Sequence, residues 1–416
     1  MGLGNIAGYF SNLKNGFDQI GEQSYHLNVD NNLYGSRETD SINIYVGLLR
    51  YLYGTRSNEK LGMLQKISLV LIYKISLIPM FIWALLRFDI FIFGFNHSFF
   101  RLYDLPILKF FGKKIIFVYL GSDARPPYMN AAIIYKNESI EDILRRTVNV
   151  KKKIDYVEKY SDYIINSPTV GQFHERDYIN WFAIGMPTVL ASSKGGEDLT
   201  IDTSGRVNIL HAASKPETKE SSYFNELIEK YKEKYNINYV FLTGVPNSVV
   251  IENIKKCDFV LDEIYSDSPM GGLGAEAAAY GKPTLVSGYY SEKIYEHIPK
   301  NFIPPSVYCQ PEKLEENFIK LCEDKVFRVQ KGIELRNFLE KNWSSNLIAK
   351  KYMLIINDQV PREWFFDWEC NDYVEGAGID RVKIFEICKV IKNVYGKEKL
   401  FLSHNLKLTS ALDEIN

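Results

Sequence analysis

The chain has 416 residues, which exceeds one ordinary hydrophobic core and fits two domains of about 200 residues each. A net charge of −1 and a pI near 6.6 exclude a general electrostatic attraction to nucleic acid. The five cysteines form no C-x-x-C pair, so neither a zinc site nor a disulfide framework is indicated, and a reducing cytoplasm is the simplest compartment.

The first half of the chain alternates helix and strand patterns, which predicts a parallel sheet flanked by helices. It opens without the basic start and apolar run of a secretory signal. Only Met1 to Leu3 precede the first glycine turn, so the first strand is either very short or supplied differently. The patterns in order are a glycine turn with an amphipathic helix, a strand, a helix, a long apolar helix, a strand, a helix and two strands: 4–21, 24–29, 41–54, 62–88, 89–95, 104–112, 113–123 and 160–168.

The apolar segment 67–86 is nearly long enough to cross a bilayer. Lys74 in its middle and Pro79 argue against a span, because a charge near the bilayer centre costs about 2.5–3.5 kcal/mol. A buried helix on a domain face is the favoured interpretation. The alternative is a helix that rests on a membrane surface, where its basic side chains reach lipid head groups: Lys60, Lys66, Lys74 and Arg87.

A polar turn ends the strand pattern over 113–123. Asp123 and Arg125 place a carboxylate and a guanidinium just past the carboxyl end of that strand, where ligands bind in open α/β sheets. Asp123 would hold an acceptor hydroxyl or orient Arg125, and Arg125 would neutralise phosphate. The alternative is an Asp–Arg pair that only fixes the loop.

The second half begins after a polar, glycine-containing stretch, 187–205, which has no periodicity and is interpreted as an interdomain linker. Strand and helix patterns then alternate again, and they end with a glycine loop, a helix and a strand. This order predicts a second doubly wound domain. The patterns cover 206–214, 219–235, 238–245, 247–256, 257–264, 273–280 and 283–288.

The stretch from Ser266 to Gly288 is the most informative part of the chain. Gly271 and Gly272 let backbone N–H groups at a helix start approach a diphosphate, and the helix N-terminus adds partial positive charge. Glu276, one turn into the helix, is placed to accept hydrogen bonds from ribose hydroxyls. A glycine turn and an alanine-rich helix occur in many Rossmann-like domains, so this stretch alone leaves a purely structural role open.

This stretch resembles a segment of the nucleotide-sugar glycosyltransferases of the GT-B fold, in particular the bacterial family 4-like branch (glycosyl transferases group 1). The family segment reads E-G-F-G-x-x-x-x-E-A-M-A-x-G-x-P. In the family, the second glutamate grips the ribose and the first lies near the transferred sugar. The first glutamate falls on Ser268 here, and the adjacent Asp267 is a candidate substitute. The matching residues are Gly271, Glu276, Ala277, Ala279, Gly281 and Pro283.

Two further segments are similar to nucleotide-contacting loops of the same family. Residues 5–9 resemble the first strand-to-helix loop, which implies that Gly8 allows a phosphate or sugar close to the backbone. Residues 242–247 resemble the strand end that packs on the nucleobase, which implies that Val245 contacts the base through its backbone.

Residues 209–221 resemble the family segment I-x-H-A-P-S-x-x-x-x-K-G-T. The resemblance implies that Lys219 reaches the nucleotide diphosphate, where a mobile ammonium stabilises the leaving group. Glu220 replaces the usual glycine after that lysine. Lys215 is the alternative cation, and a third interpretation is that both lysines are solvated residues at a helix start.

The resemblance implies an α/β architecture of two Rossmann-like, doubly wound domains that face a cleft. We expect an N-terminal, acceptor-side domain and a C-terminal, nucleotide-sugar-binding domain, joined by the linker. The last part of the chain is expected to cross back to the first domain as helices and to end in a small appendage. These parts cover 1–186, 206–345, 187–205 and 346–416, respectively.

The implied activity is transfer of a sugar from a nucleotide-sugar donor to a glycan or a lipid-linked glycan in bacterial surface-polysaccharide synthesis, with retention of configuration. Catalysis is assigned to Lys219, Asp123 and Arg125. No Asp-x-Asp occurs, so we expect no metal and no other cofactor. The expected location is the cytoplasm, at the inner face of the membrane, with peripheral contact through 60–88 and no nucleic-acid partner.

Two alternatives to glycosyl transfer remain open at the level of sequence. A sugar-nucleotide 2-epimerase uses the same fold, but it needs acid–base carboxylates and histidines around the cleft, and this chain offers few. A catalytically degenerate subunit that binds a glycan or a partner transferase is the other. Ser268 and Glu220, which depart from the family pattern, favour that second alternative.

Overall fold

The structure is a computed structural model, and it describes residues 1–3, 8–29, 44–55, 61–95, 97–136, 138–190 and 205–414. The predicted linker falls largely on 191–204, outside these residues. The same holds for most of the segment 5–9, of which only Gly8 and Tyr9 are described.

Strands in the described part of the chain form two sheets. Their bounds are β1 Gly2–Leu3, β2 His26–Leu27, β3 Ile90–Gly94, β4 Lys114–Val118, β5 Tyr163–Asn166, β6 Tyr178–Asn180, β7 Val207–Ala212, β8 Ile237–Leu242, β9 Phe259–Leu261, β10 Thr284–Ser287, β11 Val307–Cys309 and β12 Phe365–Phe366.

Helices lie between most consecutive strands. Their bounds are α1 Tyr9–Gln19, α2 Ile44–Thr55, α3 Met63–Arg87, α4 Leu105–Phe110, α5 Ala131–Ile134, α6 Ile140–Tyr160, α7 Trp181–Ile184, α8 Ser221–Tyr231, α9 Asn247–Lys256, α10 Gly272–Ala279, α11 Tyr290–His297, α12 Leu314–Glu323, α13 Lys325–Phe338, α14 Ser345–Ile356, α15 Arg381–Val390 and α16 Leu406–Asp413.

The N-terminal sheet has the order β12-β6-β5-β4-β3-β1-β2 and is parallel except for β12. Its central strands are apolar on both faces, as in sheets covered by helices on each side. Phe91 and Phe93 face the core beneath α2, α3, α4 and α6, whereas Ile92 faces the core beneath α1 and α14. The short first strand is present as β1, which pairs with β2 and β3.

The C-terminal sheet has the order β11-β10-β9-β7-β8, and all its pairs are parallel. Two doubly wound α/β units therefore build the described chain, which confirms the predicted α/β architecture. The carboxyl ends of β4, β5 and β9 lead into loops that share one cavity, described below.

The chain crosses back to the N-terminal sheet after α13. Helix α14 packs on α1, where a Cβ on Gly16 would lie 2.0 Å from the Ser345 carbonyl oxygen, so only glycine permits this approach. Phe365 and Phe366 then add β12 to the sheet edge beside β6. Phe365 and Phe366 thus belong to the first sheet.

The long apolar helix α3 buries one face only. Tyr73, Leu77, Phe81 and their neighbours enter the core, but only 28% of the most apolar 18-residue window of α3 is buried. The favoured prediction of a buried helix is therefore wrong for its outer face. Among the described residues, α3 is the one helix long and apolar enough to cross a bilayer. Its exposed apolar side chains are Met63, Leu64, Ile67, Leu71, Ile72, Ile75, Ile78, Ile82, Trp83 and Leu86.

Candidate functional site

A cavity of 390 Å³ lies between the carboxyl edges of the two sheets. The loop after β4, the end of β5 and helix α7 form its wall on the N-terminal side. The loop between β9 and α10 forms the opposite wall. Four of the sequence-predicted site residues line this cavity: Arg125, Ser268, Gly271 and Gly272.

Arg125 crosses the cavity to the other domain. Its Nη2 donates to the Asp267 carboxylate, and the two side chains are only 8% and 16% exposed. The Nε atom of Arg125 is buried without a hydrogen-bond partner among the described residues. Arg125 therefore joins the two walls of the cleft through Asp267, and its buried Nε–H is not used by any hydrogen bond within the described residues.

Asp123 turns away from the cavity. Its carboxylate accepts from the Leu120 amide at 3.1 Å, and burial raises the pKa of Asp123 to about 6. Asp123 is not among the residues that line the cavity. The structure therefore places it where it shapes the loop that carries Arg125, and the partner of Arg125 is Asp267.

Lys219 is held by two carboxylates. Its Nζ lies 2.5 Å from Asp262 Oδ1 and 2.8 Å from Glu263 Oε1. Burial lowers the pKa of Lys219, but the two adjacent negative charges outweigh burial and raise it overall. The other Asp262 oxygen faces the glycine loop, 3.4 Å from where a Cβ on Gly271 would stand. The carboxylate of Asp262 thus lies between Lys219 and the glycine loop, where the diphosphate was predicted.

The backbone conformation at Glu220 is one that favours glycine, the residue that the resembled family has at this position. It adopts φ 48° and ψ 38°, the left-handed region that glycine enters without strain. Its Oε2 accepts from the Ile264 amide at 3.0 Å, which ties the turn to the strand end of β9. Burial raises the pKa of Glu220 to about 7. The substitution therefore preserves the turn and adds a titratable group beside Lys219.

Glu276 lies beside the loop that follows β8. Its Oε1 accepts from Asn247 Nδ2 at 2.8 Å, and Asn247 is the first residue of α9. Val245 is half-buried in the same loop. The structure thus brings together the two residues predicted to contact ribose and base, next to the cavity but outside its lining.

Gly8 and Lys215 occupy different surroundings. Gly8 has φ 73° at the start of α1, and the adjacent Tyr9 lines the cavity. Lys215 is exposed and lies outside the cavity lining. Of the two candidate lysines, the structure places Lys219 nearer to the glycine loop, through Asp262.

Sequence reasoning missed the contribution of the C-terminal segment. Ala377 and Gly378 line the cavity. The Ala377 carbonyl accepts from the Ala131 amide at 3.2 Å, and the Gly378 amide donates to the Tyr265 carbonyl at 2.8 Å. This segment therefore touches both domains. The two glycines of its VEGAG sequence, both at positive φ, were the available signal.

Within the described ranges, no group of three or more histidine, cysteine, aspartate or glutamate side chains is arranged to hold a metal ion. Lys219, Arg125 and the amides of the glycine loop remain the groups predicted to meet phosphate charge. Metal independence stays a prediction.

We predict that donor binding weakens as the pH falls through about 6. Burial raises the pKa of Glu276 to about 6, against the lowering effect of the Asn247 hydrogen bond. The carboxylate that is predicted to accept from ribose is therefore present above this pH and lost below it. Calorimetry with a nucleoside diphosphate between pH 5 and 8 measures the effect. In Glu276→Gln, affinity should be lower and should lack the part of the decline near pH 6 that protonation of Glu276 causes.

Asp123 provides the control, because the pKa of Asp123 is also raised to about 6. Asp123→Asn should keep the pH dependence of donor binding. A pH dependence that disappears in Asp123→Asn and persists in Glu276→Gln would contradict the assignment.

Comparison with known proteins gives a likeness of fold. No protein-family model matches the sequence, and no curated protein does. The solved UDP-forming α,α-trehalose-phosphate synthase of Burkholderia xenovorans has a TM-score of 0.50 at 9% identity, covering 86% of this chain and 98% of that one. HepE of Anabaena, in complex with UDP and glucose, has a TM-score of 0.46 at 12% identity, covering 86% and 100%. The glycotransferase of kitacinnamycin has a TM-score of 0.45 at 11% identity, covering 86% and 98%.

The sheet topology and this likeness define the fold of the protein. The chain has the GT-B fold, the architecture of nucleotide-sugar glycosyltransferases, as the sequence resemblance predicted. Placement in the family 4-like branch stays a prediction, because these identities are too low to establish a family.

Proposed function

We propose that the protein transfers a sugar from a nucleotide-sugar donor to a glycan, with retention of configuration and without metal. The observation that carries this proposal is the order of groups along the carboxyl edge of the C-terminal sheet. Glu276 lies beside the loop after β8, and the glycine loop comes next along this edge. We assign the first pair to ribose and base and the glycine loop to the diphosphate. The cavity then opens toward Arg125 and the N-terminal wall.

In this proposal the leaving diphosphate meets fixed donors. The N–H groups at Gly271 and Gly272 and the start of α10 face its charge. Lys219 and Arg125 supply positive charge as the bond to the sugar breaks. Lys219 first exchanges Asp262 for a phosphate oxygen, and Arg125 likewise exchanges Asp267. The acceptor hydroxyl approaches from the N-terminal wall, guided by the leaving phosphate, which takes up the hydroxyl proton as the new bond to the sugar forms.

The test is a panel of UDP-, GDP- and ADP-sugars with p-nitrophenyl glycosides as acceptors, assayed with excess EDTA. Release of nucleoside diphosphate together with a new glycoside is the expected result, unchanged by EDTA. A new sugar nucleotide would indicate an epimerase, and no reaction would indicate a binding subunit. Activity that requires added manganese or magnesium would contradict the proposed phosphate site.

We also propose that the acceptor is lipid-linked and that the protein works at the inner face of the membrane. Helices α2, α3 and α4 present exposed apolar side chains and carry no acidic residue. They combine apolar area with positive charge, the two features that hold a helix on an anionic bilayer. Their basic residues are Arg50, Lys66, Lys74, Arg87 and Lys109.

We predict that the protein floats with vesicles that contain anionic lipid. Replacing Ile75 and Ile82, 56% and 50% exposed on α3, with glutamate should lower the bound fraction about fivefold or more. The matched control replaces Val326 and Val329, 79% and 46% exposed on α13, with glutamate and should bind like wild type. Equal loss in both double variants, or no binding by wild type, would remove the membrane proposal.

A further inference from the structure

Asn166 is the last residue of β5, and its side-chain amide is held from two directions. Its Oδ1 accepts from the Ser167 amide at 2.8 Å, and its Nδ2 lies 2.9 Å from His174 Nε2. Asn166 is 1% exposed and belongs to the wall of the cavity on the N-terminal side, opposite the glycine loop.

The orientation of this amide follows from the hydrogen bonds. A backbone N–H only donates, so the Asn166 atom that faces Ser167 is the oxygen, and the atom that faces His174 is the NH2 group. Nε2 of His174 must then accept, which leaves Nδ1 protonated. Nδ1 lies 2.6 Å from Glu158 Oε1, and a carboxylate accepts from it. The hydrogen bond from Asn166 and the hydrogen bond to Glu158 therefore require the same neutral tautomer of His174, with the proton on Nδ1.

The chain Glu158–His174–Asn166 is buried along its length. The His174 side chain is fully buried and that of Glu158 is 12% exposed. His174 takes one hydrogen of the Asn166 NH2 group. Within the described part of the chain, the second hydrogen has no hydrogen-bond acceptor. A donor of fixed direction therefore remains in the cavity wall.

We propose that Asn166 is a specificity-determining residue that donates to a hydroxyl oxygen of the sugar acceptor, and that His174 and Glu158 are positioning residues that orient it. This inference rests on the proposed glycosyl transfer. Asn166 lies on the wall opposite the glycine loop, the side from which the acceptor hydroxyl is proposed to approach, so its partner is assigned to the acceptor. Glu158 and His174 touch no substrate and act by fixing the amide.

The test compares steady-state kinetics of the full-length protein with the best donor and p-nitrophenyl glycoside from the panel. Asn166→Ala should raise the acceptor KM about five- to tenfold, the effect of one lost hydrogen bond, and leave the donor KM within about twofold. Asn166→Asp keeps the shape and the acceptor for Ser167 but removes the N–H donor, and it should show the same KM pattern even if the alanine variant folds poorly.

Two further variants separate positioning from general packing. His174→Phe should raise the acceptor KM but leave the donor KM unchanged, because the amide loses its fixed direction. Glu175→Gln changes the adjacent carboxylate, which bonds Lys151 and not His174, and should behave like wild type. Nitrogen-15 NMR of the wild-type protein should show His174 with its proton on Nδ1.

Each alternative outcome is decisive. An unchanged acceptor KM in both Asn166 variants, with transfer by wild type intact, would overturn this inference alone. A proton on Nε2 of His174 would overturn the orientation of the amide. Absence of any transfer by wild type would overturn the proposed function, and the acceptor role of Asn166 with it.

Discussion

Replacing Lys219 with alanine is expected to lower kcat by about 100-fold or more, because in the proposed mechanism its ammonium meets charge that grows as the sugar–phosphate bond breaks. The structure also indicates a cost in stability. Lys219 bonds Asp262 and Glu263, whose side chains are 3% and 25% exposed, so its removal leaves two carboxylates without their cation.

The same variant should therefore also lose stability. Breaking a buried ion pair by removing one partner costs about 3–5 kcal/mol, and the 21% exposure of Lys219 places the cost at the lower end of that range. Burial already raises the pKa of Asp262 with Lys219 present. Without Lys219, that pKa rises further above its unfolded value. The loss of stability in Lys219→Ala should be largest at pH 8. It should decrease as the pH falls and Asp262 takes up a proton.

Urea denaturation at pH 8 and near pH 5 measures the loss of stability, and the transferase assay measures the loss of turnover. Lys215→Ala is the matched control, because Lys215 is exposed and outside the cavity, and it should change neither quantity appreciably. Turnover in Lys219→Ala close to that of wild type would show that another group meets the diphosphate.

Much of the architecture was predictable because local pattern and global fold agree. Helix α9 begins and ends at the residues that its pattern predicts, 247–256, and α10 differs from its predicted bounds by one residue. The central strands are short runs of apolar residues bounded by glycine or polar turns. This pattern indicates a strand without any knowledge of tertiary contacts.

The partners of the two cations were not predictable. Arg125 pairs with Asp267, 142 positions away, and Lys219 pairs with Asp262, 43 positions away. Sequence pattern shows that each group lies at a strand end, but the docking of the two domains decides which strand ends meet. The sequence indicated Asp123 as the orienting partner because it is near in the chain, whereas the fold turns its carboxylate toward Leu120.

Helix α3 shows a different limit. Its hydrophobicity predicted burial, since most apolar helices in soluble domains are covered. Whether a second layer covers the outer face depends on what the rest of the chain supplies, and among the described residues nothing covers Leu64, Leu71 or Leu86, which remain 83%, 59% and 81% exposed. Composition alone does not distinguish a helix that the chain covers from one that a bilayer covers.

A double-mutant cycle on Arg125 and Asp267 should separate stability from catalysis. Each alanine variant leaves a nearly buried charge without its partner and should lower the free energy of unfolding by about 3–5 kcal/mol. The double variant should lose much less than the sum of the two, because neither charge remains unpaired. Denaturation of the three variants and wild type gives the coupling energy across the cleft.

Turnover should follow a different pattern in the same four proteins. Arg125 has an unpaired Nε donor in the cavity wall, so we expect it to meet the leaving diphosphate as well as Asp267. Arg125→Ala should lower kcat by about 100-fold, and the double variant should recover stability while its kcat stays as low. Recovery of kcat together with stability in the double variant would show that Arg125 only holds the two domains together, and the phosphate site would then have to be built from Lys219 and the glycine loop alone.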